Sequence, residues 1–132
     1  MNPIFSLLGR VGLSLIFIIS GYGKIAGYAA TQGYMESAGV PGALLPLVIA
    51  LELGGGIAIL AGIGTRWIAL ALAGFSILSA AIFHADFADP MQAISFWKNF
   101  AIAGGFLMLA VNGPGLLSID ERAPRRRLVP AG

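Results

Sequence analysis

The stretch LLPLVIALELGGGIAILAGIGTRWIALALAGFSILSAAIF, Leu44 to Phe83, decides the architecture. Its forty residues hold two charges, Glu52 and Arg66. The apolar runs are solid and lack the period-two alternation of a barrel strand. One membrane crossing takes about 20 mostly apolar helical residues. The stretch therefore contains two spans, about 44–63 and 67–83, joined by Gly64-Thr65-Arg66 alone. Inside lipid every backbone amide and carbonyl must pair within its own segment, so both spans are helices. So short a joint makes them antiparallel neighbours.

Outward from this hairpin, Ile4 to Gly23 forms a further span, interrupted by Arg10, and about 99–117 forms a fourth. The expected fold is all-α, an integral membrane antiparallel four-helix bundle in residues 1–121, with a basic tail over 122–132. Composition agrees. The 132 residues are 58% hydrophobic without counting 19 glycines, and only 11% are charged. A soluble domain carries about 25% charged residues. With a mean hydropathy of +0.88, the chain has too little polar surface to cover a water-soluble globule. No Lys or Arg precedes the first apolar run, which reads as a retained helix and not as a cleaved signal. The loop from Lys24 to Ala43 carries the turn Gly39-Val40-Pro41-Gly42, and Tyr28, Tyr34 and Met35 suit a short interfacial helix there.

The absence of cysteine excludes disulfides, Cys-ligated zinc and iron–sulfur clusters, and a single histidine excludes bis-His haem within one chain. No complete catalytic motif is present. His84, Asp86 and Asp89 share one loop, but their spacing matches no strong metal motif, so no metal is expected. His84 itself serves interfacial hydrogen bonding or proton acceptance. Trp67 and Trp97 read as interfacial anchors. The net charge of +2 reflects a tail cluster. Arg122, Arg125, Arg126 and Arg127, with Arg66, are assigned to lipid headgroups and not to nucleic acid. These five arginines lie on one side of a four-span topology, and Lys24 and Lys98 on the other. The positive-inside rule then puts both termini in the cytoplasm.

Small residues let membrane helices approach closely. Ala50, Gly54, Ala58 and Gly62 recur every four residues on the second span and are the expected packing face, widened by Gly55 and Gly56. The same spacing suits a homodimer seam.

Ionisable residues within spans are functional candidates by default. Glu52 falls near the midplane, and its short side chain must be protonated, paired or wetted there. Arg10 lies about 9 Å into the first helix, and Lys24 follows roughly four turns later on nearly the same face. Glu52 can thus meet a cation from either side. One reading is an ion pair that pins helix register. The other is a polar pocket lined by Arg10, Lys24 and Glu52 and closed from outside by His84 and Asn99. Such a pocket suits an anionic or quinone-like headgroup, or a proton relay.

The ordered motifs Gly9-Arg10, Ser20-Gly21-Tyr22-Gly23-Lys24, Gly39-Val40-Pro41, Glu52-Leu53-Gly54-Gly55-Gly56 and Gly62-Ile63-Gly64-Thr65-Arg66 continue through His84, Phe96-Trp97-Lys98-Asn99 and Gly113-Pro114-Gly115-Leu116-Leu117-Ser118-Ile119-Asp120. From Gly9 to about Asp120 the chain resembles the DoxX family of small bacterial and archaeal membrane proteins. The resemblance implies a four-helix protein of the plasma (inner) membrane. Named relatives look like subunits of thiosulfate:quinone oxidoreductase or terminal-oxidase assemblies, others are linked to oxidative-stress complexes, and a distant eukaryotic branch acts in cargo export. The resemblance therefore implies a location and leaves the reaction open, with an accessory subunit beside a quinone-linked redox enzyme subunit as the first reading. The absence of cysteine prevents any member's thiol chemistry from carrying over, and the tail after Asp120 lies outside the match. Two other readings stay open. One is a dimeric small-solute or proton-coupled transporter with Glu52 as its coupling carboxylate. The other is a non-catalytic membrane scaffold.

Overall fold

A computed structural model describes residues 2–122, so Arg125, Arg126 and Arg127 lie outside the described residues. Its elements are α1 (Pro3–Ala26), a short α2 (Tyr28–Ser37), α3 (Gly42–Ala61), α4 (Thr65–Phe83), α5 (Pro90–Asn112) and the single turn α6 (Ile119–Arg122). The chain is an all-α bundle in which α1, α3, α4 and α5 are long and apolar enough to cross a membrane.

Local chemistry sets the helix ends. Asn2 Oδ1 accepts the Ile4 amide at 2.9 Å, with Pro3 in the first position of α1. Asp89 Oδ1 does the same for Met91 at 2.9 Å, ahead of Pro90. This Asp-Pro cap corrects the fourth span. It begins at Pro90, well before residue 99, and stops at Asn112 ahead of Gly113-Pro114-Gly115, short of 117. Gln92 and Lys98 dilute the hydropathy of its first turns, which hid them from an apolarity argument. Asp86 and Asp89 are turn and cap residues: Asp86 Oδ1 accepts the Ala88 amide at 3.2 Å.

Between α3 and α4 the chain reverses through Gly62 (φ +73°) and Gly64 (φ +56°), left-handed conformations that cost an L side chain about 1–2 kcal/mol. The Ile63 amide reaches back to the Ala58 carbonyl at 2.9 Å and closes the end of α3.

The bundle is held by close approach of α1 and α3. A Cβ on Gly21 would lie 2.9 Å from the Leu53 backbone nitrogen. One on Gly56 would lie 2.9 Å from Ile18 Cγ1 and 3.1 Å from the Ser14 carbonyl oxygen. These contacts fix an antiparallel register, with Gly21 level with Leu53 and Ser14 and Ile18 level with Gly56. They also correct the expected packing face. Ala50 and Gly54 are exposed and Ala58 is half-buried, whereas Gly55, Gly56 and Ile59 are buried. A four-residue repeat drifts by about 40° per step around a helix of 3.6 residues per turn, so the stripe spirals from the outer face to Gly62 on the inner one. Beyond the glycines, Phe17, Ile59, Leu72, Ala73, Ala103 and Phe106 form the core, with the Phe17 and Phe106 rings edge-to-face at 5.5 Å. Large apolar side chains such as Leu47, Leu78 and Val111 cover the outside, as a lipid-facing surface requires.

Candidate functional site

Glu52 stands at the centre of a π-helical stretch, Ala50–Gly54, inside α3. Such stretches are rare and recur at functional sites. Register then selects its partner. Leu53 packs on Gly21, so Glu52 lies within a turn of Lys24, which stands in the last turn of α1. Lys24 Nζ and Glu52 Oε1 are 2.9 Å apart, with side-chain exposures of 28% and 4%.

The pair separates two cavities. On one side is a small polar cavity of about 160 Å³, where Ser20, Ser76, Ser79, His84 and Asn99 meet Lys24 and Glu52. On the other is a larger cavity of about 430 Å³ walled by Leu51, Phe75, Leu78, Ile82 and Phe83, with Tyr34 and Met35 of α2 across its outer end. Tyr34 stacks on Phe83 with ring centroids 5.2 Å apart, which fastens α2 to the end of α4. Ser76 already donates to the Leu72 carbonyl at 2.8 Å. The side chains of Ser20, Ser79, His84 and Asn99 have no hydrogen-bond partner among the described residues and line the polar cavity. Lys24, Glu52, His84 and Asn99 therefore come together as the spacing suggests.

Arg10 does not join them, which corrects the expected five-residue pocket. It is 1% exposed and sits at the other end of the bundle. Its Nη1 donates to the carbonyls of Ile59 at 3.1 Å and Leu60 at 2.8 Å, and its Nη2 donates to that of Leu117. A guanidinium suits this place because it offers several donors to the negative end of α3. Its distance from Lys24 along α1, about 21 Å at 1.5 Å per residue, prevents both from reaching Glu52.

Around Arg10 a clip ties the α3–α4 turn to the segment after α5. The Asp120 carboxylate accepts the Gly64 and Thr65 amides, each at 2.9 Å, and so caps α4 from a distance in sequence. The Asp120 amide in turn donates to the Gly62 carbonyl at 2.9 Å. A Cβ on Gly62 would strike Ser118 Cβ at 2.3 Å and Arg10 Nη1 at 2.8 Å, so only glycine closes the clip. Arg66, assigned to headgroups by sequence, is exposed and also donates to the Val111 carbonyl at 3.2 Å, at the end of α5; Arg122 is exposed.

Burial alone pushes the Asp120 carboxyl up, but the Thr65 and Gly64 amides and the Arg10 charge together hold it below its ordinary value. A carboxyl lowered on folding stabilises the fold above the ordinary carboxylate range and loses that contribution as pH falls through its folded value. Asp120→Ala is therefore expected to cost about 1 kcal/mol at pH 7, the worth of a helix cap. In thermal unfolding of detergent-solubilised protein, the gap from wild type should persist down to about pH 4 and close below it. A gap independent of pH would contradict the charged cap.

Four apolar helices around a largely buried ion pair and two adjoining cavities define a polytopic membrane protein. The chain belongs to the DoxX family, whose sequence profile matches residues 5–85. It is 55% identical over 115 residues to the inner membrane protein YqjF of Escherichia coli (strain K12), covering 87% of this chain and 88% of that protein. It is 39% identical over 129 residues to the inner membrane protein YphA of the same strain, covering 92% and 91% respectively. No solved structure gives a significant match. The chain is thus a multi-pass inner membrane protein of the DoxX family.

The larger cavity escaped sequence reasoning, as did the three serines. Ser76 and Ser79 stand three residues apart on an otherwise apolar span, and that spacing was the available signal.

Proposed function

We propose that the protein is an accessory subunit of a quinone-linked redox complex in the inner membrane, with both termini in the cytoplasm. One observation carries this reading: the Lys24–Glu52 pair lies where a polar cavity meets an apolar one. A quinone has the matching division, with ring oxygens for Lys24, His84, Asn99 and the serines and a tail for the apolar cavity. The unpartnered donors and acceptors of Ser20, Ser79 and Asn99 support that fit. Quinone would supply the redox chemistry; the chain binds and orients its head and excludes water. Electrons come from a partner, because the chain has no cysteine and a single histidine with which to hold a metal redox centre.

Native mass spectrometry of protein gently extracted from its own membrane tests this. The expected result is a co-purifying redox subunit and bound quinone, with quinone occupancy falling about fivefold in Asn99→Ala, the worth of one lost hydrogen bond of about 1 kcal/mol. A bare chain carrying phospholipid alone would overturn the proposal. Solute flux in proteoliposomes that Glu52→Gln abolishes would put a transporter in its place. For the orientation, a C-terminal reporter should be active only on the cytoplasmic side.

A further inference from the structure

We infer that the groove between α3 and α4 is a lateral binding site for an electrically neutral amphiphile, whose hydroxyl head bridges Lys24 and Glu52. The inference rests on reading that pair as a ligand site, but it requires neither a quinone nor a redox partner.

Shape gives the route. At the clip end α3 and α4 are in contact, since a Cβ on Gly55 would touch Leu72 and Ile68 at 3.4 and 3.5 Å. Towards the other end the two helices enclose the cavity of about 430 Å³, large enough for a drug-sized molecule. Its rim residues Leu47 and Leu78 are 68% and 59% exposed on the surface that faces lipid. The opening is therefore sideways, into the hydrocarbon, and α2 covers the outer end through Tyr34 and Met35. A molecule dissolved in the bilayer reaches the pair without passing through water.

Charge selects the head. The charged groups facing the cavity are Lys24 from α1 and Glu52 from α3. His84 closes α4, while α2 contributes Thr31, Tyr34 and Met35, none of them charged. Lys24 and Glu52 already compensate each other at 2.9 Å. A carboxylate or phosphate head meets Glu52 repulsion along with Lys24 attraction, and it must shed its hydration to enter. An ammonium head meets the converse. Either leaves an uncompensated charge in a medium of low dielectric. A neutral oxygen avoids this. The ammonium has three N–H donors and spends one on Glu52 Oε1, so another can donate to the ligand oxygen, and Glu52 Oε2 can accept from a ligand hydroxyl.

The test uses the full chain in nanodiscs of zwitterionic phospholipid at pH 7. Three photoreactive probes of equal chain length are compared: a long-chain alcohol, the matching carboxylic acid and the matching amine. The alcohol is expected to label Leu47, Leu51, Phe75 or Leu78 at least about tenfold more than either charged probe, a gap of about 1.4 kcal/mol. In Glu52→Gln, the freed Lys24 charge should turn the preference to the acid. Leu78→Trp, which fills the groove from its exposed rim, should cut alcohol labelling about tenfold, with Leu47→Trp as a second variant should the first fold poorly. Equal labelling by all three probes would mean that the groove takes only tails, and an unchanged ranking in Glu52→Gln would mean that the pair reads no charge. Either result overturns the inference. Alcohol preference with no quinone or redox subunit in the native complex would defeat the redox reading alone. Bound quinone with no alcohol preference would defeat the neutral-head inference alone.

Discussion

Arg10→Met should lower the unfolding free energy by about 3–5 kcal/mol, on the scale of two lost hydrogen bonds from a charged donor. The side chain is 1% exposed, and it supplies hydrogen bonds to Ile59, Leu60 and Leu117. Methionine fills much of the volume and donates nothing, so the substitution isolates the polar contribution. The carbonyls of Ile59 and Leu60 close α3, and Leu117 belongs to the segment that returns over it. Both the helix end and the clip loosen together. Arg10→Lys should recover only part of the loss, because a single ammonium cannot reproduce a planar fork spanning separate carbonyls. Denaturant unfolding in detergent reads both variants. A loss under about 1 kcal/mol for Arg10→Met would place its worth among ordinary surface contacts and refute the clip as a stabilising element.

The second large effect is an asymmetry. Lys24→Met leaves Glu52 nearly buried, with a side chain too short to reach either interface, and should cost about 3–5 kcal/mol. Glu52→Met leaves Lys24, whose side chain is already 28% exposed, free to extend its stem to the outer interface. Its cost should be about 1–2 kcal/mol, the lower part of the range for a lost hydrogen-bonding partner. The double variant should lie close to wild type, because paired apolar replacement of a buried ion pair is often neutral. Equal losses for the two single variants, adding in the double, would show that the pair is no more coupled than distant residues are. Ligand readouts should separate from stability here: the double variant keeps the fold and loses the neutral-head preference.

The helical spans and their antiparallel order were legible because apolarity over about 20 residues is a property of composition, which local sequence carries in full. The meeting of Lys24 and Glu52 with His84 and Asn99 was legible in part, since Lys24 and His84 end their helices on one side of the bundle and a midplane Glu52 is within reach of that side. The exclusion of Arg10 was not. It depends on helix register, which follows from where Gly21 and Gly56 allow α1 and α3 to touch. The stripe Ala50, Gly54, Ala58, Gly62 offered a rival register of equal sequence quality, and only packing chooses between them. Asp120 was hidden for a related reason: it caps a helix that begins 55 residues earlier, whereas sequence rules for caps look three or four residues away. The start of α5 was missed although its Asp-Pro cap was in plain view, because hydropathy was given priority over cap chemistry.

The clip also imposes an order on biosynthesis. Leu117, Ser118 and Asp120 follow all four membrane helices in the chain, yet they complete contacts made by Arg10 and the Gly62–Thr65 turn. Chains emerge N-terminus first, at about 5–20 residues per second. Arg10 therefore enters the bilayer seconds before its last acceptor is translated, and α4 waits about half as long for the carboxylate that caps it. A nascent chain stalled after the fourth helix holds an incompletely satisfied guanidinium at the clip end, and the last contacts to form are the ones that complete the bundle.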